Sequence, residues 1–295
     1  MKTLQIILGL ILGGALLYLA MRGMDLGETW QVLGGVKWPY LGLALGLVLL
    51  SPVIRALRWK ALLEEDKPGF LLLIGAIVIA QTLNFAIPFR SGEIARILLV
   101  GGRKLHTAGT IAIEKALDAA CFGGLCVILP LIWAVPDWLE GPRLSALALA
   151  GAFLVAVGVG LSIIPRISPK IFAIDRVPPL KKTPILLGSS LYLCAGSILT
   201  NYFVLMSLQI HATFLAATVL LVILQVGVAV PSSPGKIGVF QYLAVLGLSL
   251  FGVAKAPALA FGVILHLLVF LPTAAMAGIF WLHSRRMPST SNFSL

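Results

Sequence analysis

Eight long apolar runs alternate with short polar segments along this chain of 295 residues. A helix needs about 20 apolar residues to cross a bilayer. Runs of about that length cover residues 4–21, 39–57, 69–87, 109–134, 144–164, 184–207, 213–230 and 257–282. The pattern predicts an all-α polytopic membrane protein, with residues 1–295 as one integral membrane domain and no soluble domain.

The composition supports a membrane protein and argues against a soluble domain, a nucleic-acid-binding protein and a metal site. Charged residues make up 11% of the chain, whereas a soluble domain has about 25%. The net charge of +11 does not indicate nucleic-acid binding, because the basic residues lie at the ends of apolar runs, where cytoplasmic loops collect them. The three cysteines and four histidines show no metal-ligand spacing. No nucleic acid, metal or cofactor is therefore expected.

Two short polar motifs interrupt the apolar pattern, each followed by a short apolar piece, at about 92–103 and 235–252. The first motif is Pro88-Phe-Arg-Ser-Gly-Glu-Ile-Ala-Arg96, and the second motif, 143 residues further on, is Pro231-Ser-Ser-Pro-Gly-Lys-Ile-Gly238. Paired interruptions at matching places in two halves of a membrane protein are typical of transporter sites.

The same offset of 143 residues aligns the other elements of the two halves. It carries residues 39–57 onto 182–200, 69–87 onto 212–230 and 109–134 onto 252–277, each over another apolar run. Residues 4–21 fall on 147–164, which favours a retained first helix over a cleaved signal peptide. The sequence thus predicts two repeats, at about 1–134 and 144–282, and a tail at 283–295.

The basic residues predict the orientation. Placing both termini in the cytoplasm puts 14 of them on the cytoplasmic side, including the linkers 55–68 and 165–183, and four on the other side, as the positive-inside rule requires. The first and second motifs each lie in a helical hairpin, and in this arrangement the two hairpins enter the membrane from opposite sides. The repeats therefore have inverted topology. We expect a multi-pass protein of the cell (inner or cytoplasmic) membrane with about eight long helices and two broken or re-entrant short helices.

The two motifs are candidate anion sites. Ser91 and Ser233 are placed to cap short helices, with Pro234 at the first position of the second. A helix N-terminus favours anions, and the arginine fork suits phosphate. The candidate substrate-binding residues are Arg90, Ser91, Gly92, Glu93, Arg96, Ser232, Ser233, Pro234, Gly235 and Lys236. In the alternative, structural interpretation, the charges of the first motif neutralise one another and hold a turn.

Two carboxylates, Glu114 and Asp118, share a face of the fourth long run because they are four residues apart. They are candidates for coupling to a proton or cation, for charge pairing with Arg90 and Arg96, or for acid–base catalysis, and Glu114 also lies near the cytoplasmic interface.

Several polar and small residues have supporting roles in the prediction. The amides Asn84 and Gln225 are placed to satisfy opened backbone beside the two motifs. The spacing of Gly9 and Gly13 allows close helix packing, with no functional role predicted. His266 is predicted to be a hydrogen-bonded core residue rather than a ligand.

Three motifs in order resemble the flippase-like family, the lysylphosphatidylglycerol synthase transmembrane region, over nearly the whole chain. They are Asn84-x3-Pro88-x-Arg90-x-Gly92-Glu93-x2-Arg96, Glu114-Lys-Ala-Leu-Asp118 and Pro231-x-Ser-Pro-Gly235-x-x-Gly-Val-x-Gln241. The resemblance implies a stand-alone member of the family, without the aminoacyltransferase domain. Such a protein is expected to flip a lipid and not to synthesise lysylphosphatidylglycerol. The family usually has glycine where Lys236 stands and often glutamate at Gln241. The lysine favours an anionic headgroup, and the glutamine makes a proton role there less expected.

Three functions remain open. The first is a flippase or transporter for a lipid with an anionic headgroup, such as a phospholipid or a polyprenyl phosphate. The second is a membrane-embedded enzyme that acts on lipid headgroups, although no nucleophile stands beside a base in the sequence. The third is a non-catalytic membrane partner of a lipid-modifying enzyme. The sequence does not indicate an oligomeric state.

Overall fold

The computed structural model describes residues 2–23, 25–63, 68–86, 91–101, 104–132, 182–229 and 234–286. These residues form ten α-helices and no strand, so the all-α prediction is confirmed for this part of the chain. The helices are α1 (Lys2–Met21), α2 (Leu26–Gly34), α3 (Trp38–Leu62), α4 (Phe70–Ala86), α5 (Gly92–Val100), α6 (Lys104–Ile132), α7 (Thr183–Ser207), α8 (Phe214–Ala229), α9 (Val239–Ser249) and α10 (Lys255–Arg286).

Among the described residues, three helices are long and apolar enough to cross a membrane. They are α3, α7 and the part of α10 over Lys255–Ser284. Shorter apolar segments cover Gly9–Met21, Phe70–Ala86, Phe214–Gln225 and Val239–Ser249. The chain is therefore a membrane protein. The count of eight spanning helices stays a prediction, and the run at 144–164 lies outside the described residues.

The helix bounds follow the offset of 143 residues most closely for two pairs. Moved by that offset, α3 falls on 181–205, where α7 covers Thr183–Ser207, and α4 falls on 213–229, where α8 covers Phe214–Ala229. The two short helices match less well, because α5 begins within the first motif while α9 begins one residue after the second. Inverted orientation of the repeats stays a prediction.

One local expectation was wrong, and one helix was not predicted. The predicted linker at 55–68 is helical as far as Leu62, because buried contacts of Arg58 and Trp59 hold the last turns of α3. A short helix, α2, was missed in the segment before α3. Asp25 caps it by accepting a hydrogen bond from the Gly27 backbone N–H at 2.7 Å. The Asp25-x-x-Glu28 spacing is a helix-start signature that could have revealed it.

The chain forms two compact units, and each contains residues of both predicted repeats. Unit 1 covers Met1–Pro52, Ile74–Leu99 and Gly196–Leu295, and unit 2 covers Val53–Leu73 and Val100–Ala195. The prediction of a single membrane domain is not tested by this division.

In unit 1, α9 packs against α1, α8 and α10, and α2 packs against α10. The Lys37 backbone N–H, just before α3, donates a hydrogen bond at 2.7 Å to the carbonyl of Ser207 at the end of α7. Trp30 and Trp38 are 73% and 74% exposed. Exposed tryptophans of this kind are typical of the membrane–water interface.

In unit 2, α3 and α7 run antiparallel. Arg58 donates a hydrogen bond to Ser190 Oγ at 2.9 Å, and Lys182 donates one to the carbonyl of Ala61 at 3.0 Å. The contacts occur in reverse order along the two segments, since the later position in α3 meets the earlier position in the other segment. The Trp59 indole N–H adds a buried hydrogen bond to Thr110 Oγ1 of α6, at 3.0 Å.

Candidate functional site

The first motif joins α4, which ends at Ala86, to α5, which begins at Gly92. Asn84 links the two helices. Its Oδ1 accepts a hydrogen bond from the Gly92 backbone N–H at 2.9 Å, and its Nδ2 donates one to Glu93 Oε1 at 3.4 Å. The first backbone N–H groups of a helix have no partner within their own helix. Asn84 therefore satisfies one of these groups at the start of α5.

The capping of α5 differs from the sequence prediction, which assigned this role to Ser91. The Ser91 carbonyl accepts the first helical hydrogen bond, from the Ala95 N–H at 3.1 Å. Its hydroxyl is buried and has no hydrogen-bond partner in the described part of the chain. Asn84, eight residues before the helix begins, takes the position that a serine cap would occupy.

The start of α5 presses directly on the backbone of α4. A Cβ atom at Gly92 would overlap the carbonyl oxygen of Ala80, so only glycine fits. One turn further on, Arg96 is buried, with 4% of its surface exposed. Arg90 lies outside the described residues. The first motif therefore combines a close helix contact with a buried cation, and its role as a headgroup site stays a prediction.

The second motif has a different backbone. Pro234–Lys236 form a 3-10 turn in which Gly235 has a φ of +70°. Lys236 and Gly238 also have positive φ values, +55° and +89°. The expected helix start at Ser233 and Pro234 was wrong for the α-helix, which begins only at Val239, because these left-handed residues interrupt the helical path. Ser232 and Ser233 lie outside the described residues.

The start of α9 is held by Gln241 and by α1. Gln241 Oε1 accepts a buried hydrogen bond from the Gly238 backbone N–H at 2.7 Å. A Cβ atom at Gly238 would overlap the carbonyl oxygen of Gly13 in α1. The Gly9–Gly13 spacing that predicted helix packing thus includes the residue that contacts the second motif. Only the tertiary structure reveals that partner.

Residues beside the two motifs contact the same histidine within unit 1, and we call Phe85, Phe240 and His266 the junction. Phe85 lies in the last turn of α4, just before the first motif, and Phe240 lies in the first turn of α9, just after the second. The His266 ring of α10 contacts both edge-on, with ring centroids at 5.9 Å from Phe85 and 5.2 Å from Phe240. One histidine therefore bridges the two interrupted helices.

His266 is a core residue, as the sequence predicts, but the predicted hydrogen bond is not seen at its Nδ1. Only 7% of its surface is exposed, and its Nδ1 has no hydrogen-bond partner among the described residues. Buried polar atoms in proteins nearly always have a partner. The sequence signal for this residue was a lone histidine in an apolar helix, which does not distinguish packing from binding.

A charged cluster in unit 2 consists of Arg55, Arg58, Glu114 and Asp118. Asp118 accepts hydrogen bonds from Arg55 at 3.0 Å and from Arg58 at 2.7 Å. Glu114 lies 3.7 Å from Arg55 and 3.3 Å from Arg58. The Arg58 and Glu114 side chains are 0% and 1% exposed. Each of the four charges has an opposite charge within ion-pair distance.

The cluster changes the interpretation of Glu114 and Asp118. Pairing with Arg90 and Arg96 is one of three roles that the sequence leaves open for them. The partners seen here are Arg55 and Arg58, which the sequence places in a cytoplasmic linker. Arg90 lies outside the described residues, so pairing with it stays a prediction. The Glu114 side chain is buried, so it does not extend into solvent. The spacing of two arginines three apart and two carboxylates four apart was the available signal, since each pair shares a helix face.

The family model for the lysylphosphatidylglycerol synthase TM region matches residues 6–277, nearly the whole chain. The chain belongs to this family. The matched residues include both interrupted helices, the junction and the charged cluster. The resemblance noted from the three motifs is therefore confirmed.

One curated relative has a different name. This family member is 29% identical over 136 residues to "Glycosyltransferase AglD" of Haloferax volcanii. The match covers 43% of the present chain and 22% of the relative. The chain therefore matches only about a fifth of that protein's length. Together the two comparisons point to a lipid-related function in a membrane.

Gln225 is the remaining supporting residue predicted from the sequence. It lies near the end of α8 with its side chain exposed. Unlike Asn84 and Gln241, it is not shown to bind an opened backbone group. The structure thus connects residues beside the two motifs through their shared contact with His266. It places the charged cluster, which sequence reasoning had joined to the first motif, among residues of unit 2.

Proposed function

We propose that this protein moves a lipid with an anionic headgroup between the two leaflets of the cell membrane. The observation that carries the proposal is the junction, where His266 contacts a residue of each interrupted helix inside one compact unit. Interrupted helices near the middle of the membrane are the usual substrate sites of secondary transporters. Irregular backbone at that depth is tolerated only where it is buried in protein or lines a cavity.

Positive charge at the motifs supports an anionic headgroup. Arg96 is buried one turn into α5, and Lys236 lies in the turn that precedes α9. Both cations lie beside the interrupted helices, where secondary transporters usually bind their substrates. The substrate class is a phosphate-bearing lipid, either a phospholipid or a polyprenyl-phosphate-linked lipid. It would leave chemically unchanged, so the protein would act as a transporter and not as an enzyme.

The family name and the contacts of α3 support the remaining features of the proposal. Lysylphosphatidylglycerol, the lipid in the family name, carries a phosphate.

The antiparallel course of α3 and α7, which the repeat offset pairs, supports inverted repeats. The distribution of 14 and four basic residues supports cytoplasmic termini. Reporter fusions at both termini would test that topology, and a periplasmic signal from either would contradict it.

Close pairing within the charged cluster favours a structural role for Glu114 and Asp118 over proton coupling. Both carboxylates lie within ion-pair distance of two arginines. Movement of the lipid would then proceed downhill. An imposed proton gradient should leave the rate unchanged, and acceleration by the gradient would restore the coupling role.

A lipid-movement assay in proteoliposomes tests the proposal. Fluorescent phosphatidylglycerol, phosphatidylethanolamine and a short polyprenyl phosphate are each followed with wild type, Arg96→Gln and Arg22→Gln. Arg22 is an exposed arginine outside both motifs and serves as the matched control. We expect movement of an anionic lipid that Arg96→Gln slows about tenfold and Arg22→Gln leaves unchanged. No movement above protein-free vesicles would refute the proposal.

A second candidate is a membrane partner for a lipid-modifying enzyme. It is favoured by the partial match to the glycosyltransferase relative, most of whose length lies outside the matched region. This function predicts that Arg96 and Lys236 substitutions are silent in the assay while co-purification of an enzyme depends on loop residues. Mass spectrometry of the recovered lipid separates both from the headgroup-enzyme interpretation, which requires a changed mass.

A further inference from the structure

We propose that His266 is a ligand of the lipid phosphate at the junction, and that its imidazole donates a hydrogen bond to a phosphate oxygen. This inference rests on the proposed function and assigns it a residue that neither motif contains. It requires three properties of His266, namely access to both interrupted helices, a free hydrogen-bonding atom and a chemical match to phosphate.

The first property is position. His266 lies 181 residues after Phe85 and 26 after Phe240 in the chain, yet its ring contacts both. The contacts are edge-on, with interplanar angles of 72° and 87°. A headgroup held by both interrupted helices would lie near this ring, because the ring contacts the last turn of α4 and the first turn of α9.

The second property is an unpaired atom. His266 Nδ1 is buried and has no hydrogen-bond partner in the described part of the chain. An unpaired buried polar atom costs free energy. A phenylalanine at this position could pack against the two neighbouring phenylalanines without that cost. Retaining a histidine at this place is therefore best explained by a partner that arrives from outside the chain.

The third property is chemistry. Imidazole carries an N–H donor in the neutral form and two in the protonated form, and it provides no acidic group to repel an anion. The facing residues Phe85 and Phe240 are apolar and offer no competing hydrogen bond. Phosphate oxygens fit such a donor, and hydrogen bonds to charged acceptors are the stronger class.

Binding of short-chain lipids to the full-length protein in detergent tests the inference. The probes are dioctanoyl phosphatidylglycerol, a short polyprenyl phosphate, dioctanoylglycerol without phosphate, and inorganic phosphate. The variants are His266→Phe, which keeps the ring packing, and His266→Asn, which restores a polar atom near the position of Nδ1. Thermal unfolding is measured on the same samples.

We expect His266→Phe to weaken binding of a phosphate-bearing lipid about tenfold or more without lowering the unfolding temperature. His266→Asn should recover part of the affinity, and dioctanoylglycerol should not distinguish the variants. If inorganic phosphate alone binds with the same histidine dependence, the ligand is free phosphate rather than a lipid, and the inference is wrong. Wild-type affinity in His266→Phe would also overturn it.

The outcomes separate this inference from the proposed function. Wild-type protein that binds a phosphate-bearing lipid through His266 but moves none in vesicles refutes transport and supports the ligand role. Wild-type protein that moves the lipid, with His266→Phe binding equally well, supports transport and refutes the ligand role. Wild-type protein that binds none of the phosphate-bearing lipids refutes the ligand role.

Discussion

The charged cluster and the junction both contain buried polar side chains, but they differ in how those groups are paired. In the cluster, Arg58 and Glu114 are almost fully buried and lie 3.3 Å apart, with a second opposite charge near each. At the junction, the buried Nδ1 of His266 has no partner in the described chain. Paired groups hold helices together, whereas an unpaired group is available to a ligand. We therefore predict a structural role for the cluster and a binding role for the junction.

The largest effect on stability is expected from Arg58→Met. Removing one partner of a buried ion pair leaves an uncompensated charge, which costs about 3–5 kcal/mol. The double variant Arg58→Met with Glu114→Gln should recover part of the loss, because one buried negative charge is then gone. Denaturant titration in mild detergent measures both. A double variant no more stable than Arg58→Met would contradict the pairing.

Glycine substitutions at the two motifs should give the next largest effects. Gly238→Ala combines overlap with Gly13, about 1–3 kcal/mol for overpacking, with a left-handed φ that costs a further ~1–2 kcal/mol. Gly92→Ala carries only the overlap with Ala80. Gly46→Ala, where no atom lies within 4 Å of the new Cβ, is the control. Equal unfolding free energies for all three would show that the motifs do not pack as described.

The amide caps should have smaller effects. Asn84→Ala removes one cap, worth about 1 kcal/mol. Gln241→Ala leaves the buried Gly238 N–H unpaired, at about 1–3 kcal/mol. Hydrogen exchange at the starts of α5 and α9 would measure each opening locally. Faster exchange at α9 in Asn84→Ala, and not at α5, would contradict the assignment of the caps.

The smallest change in stability is expected at Lys236. Substitution there should instead change which lipid the protein prefers. Lys236→Gly relieves a positive φ of +55°, so the unfolding free energy should be unchanged or rise by up to about 1 kcal/mol. Loss of the cation should reduce the preference for phosphatidylglycerol over phosphatidylethanolamine in vesicles. Lys236→Arg keeps the charge and should keep the preference. An unchanged preference in Lys236→Gly would remove the lysine from the site.

Sequence reasoning located the elements better than their contacts. Apolar runs predicted α4 and α8 within one residue of their observed ends, because membrane helices are determined by local composition. The motifs indicated Asn84 and Gln241 as supporting residues, and each accepts a hydrogen bond from a glycine backbone N–H of its motif. Pairing across long separations was not predictable, as with Arg58 and Glu114, because many arginines are available to a carboxylate and only packing selects one.

The roles of Gly13 and His266 show a second limit. Gly13 belongs to an ordinary packing pattern, and its contact with Gly238 depends on how α1 lies against α9. His266 is a polar residue in a mostly apolar helix, and its predicted role depends on the two rings that it contacts. Such roles arise where separate elements meet, so no local pattern records them.

The most direct test of the comparison is the rate of phosphatidylglycerol movement per folded protein in proteoliposomes, measured for Arg96→Gln and Ser190→Ala. Ser190 accepts a hydrogen bond from Arg58 at 2.9 Å in the cluster, and its loss should cost only about 1 kcal/mol. We predict that Arg96→Gln moves the lipid about tenfold more slowly than wild type, while Ser190→Ala moves it at the wild-type rate. A wild-type rate for Arg96→Gln together with a slow rate for Ser190→Ala would contradict the account.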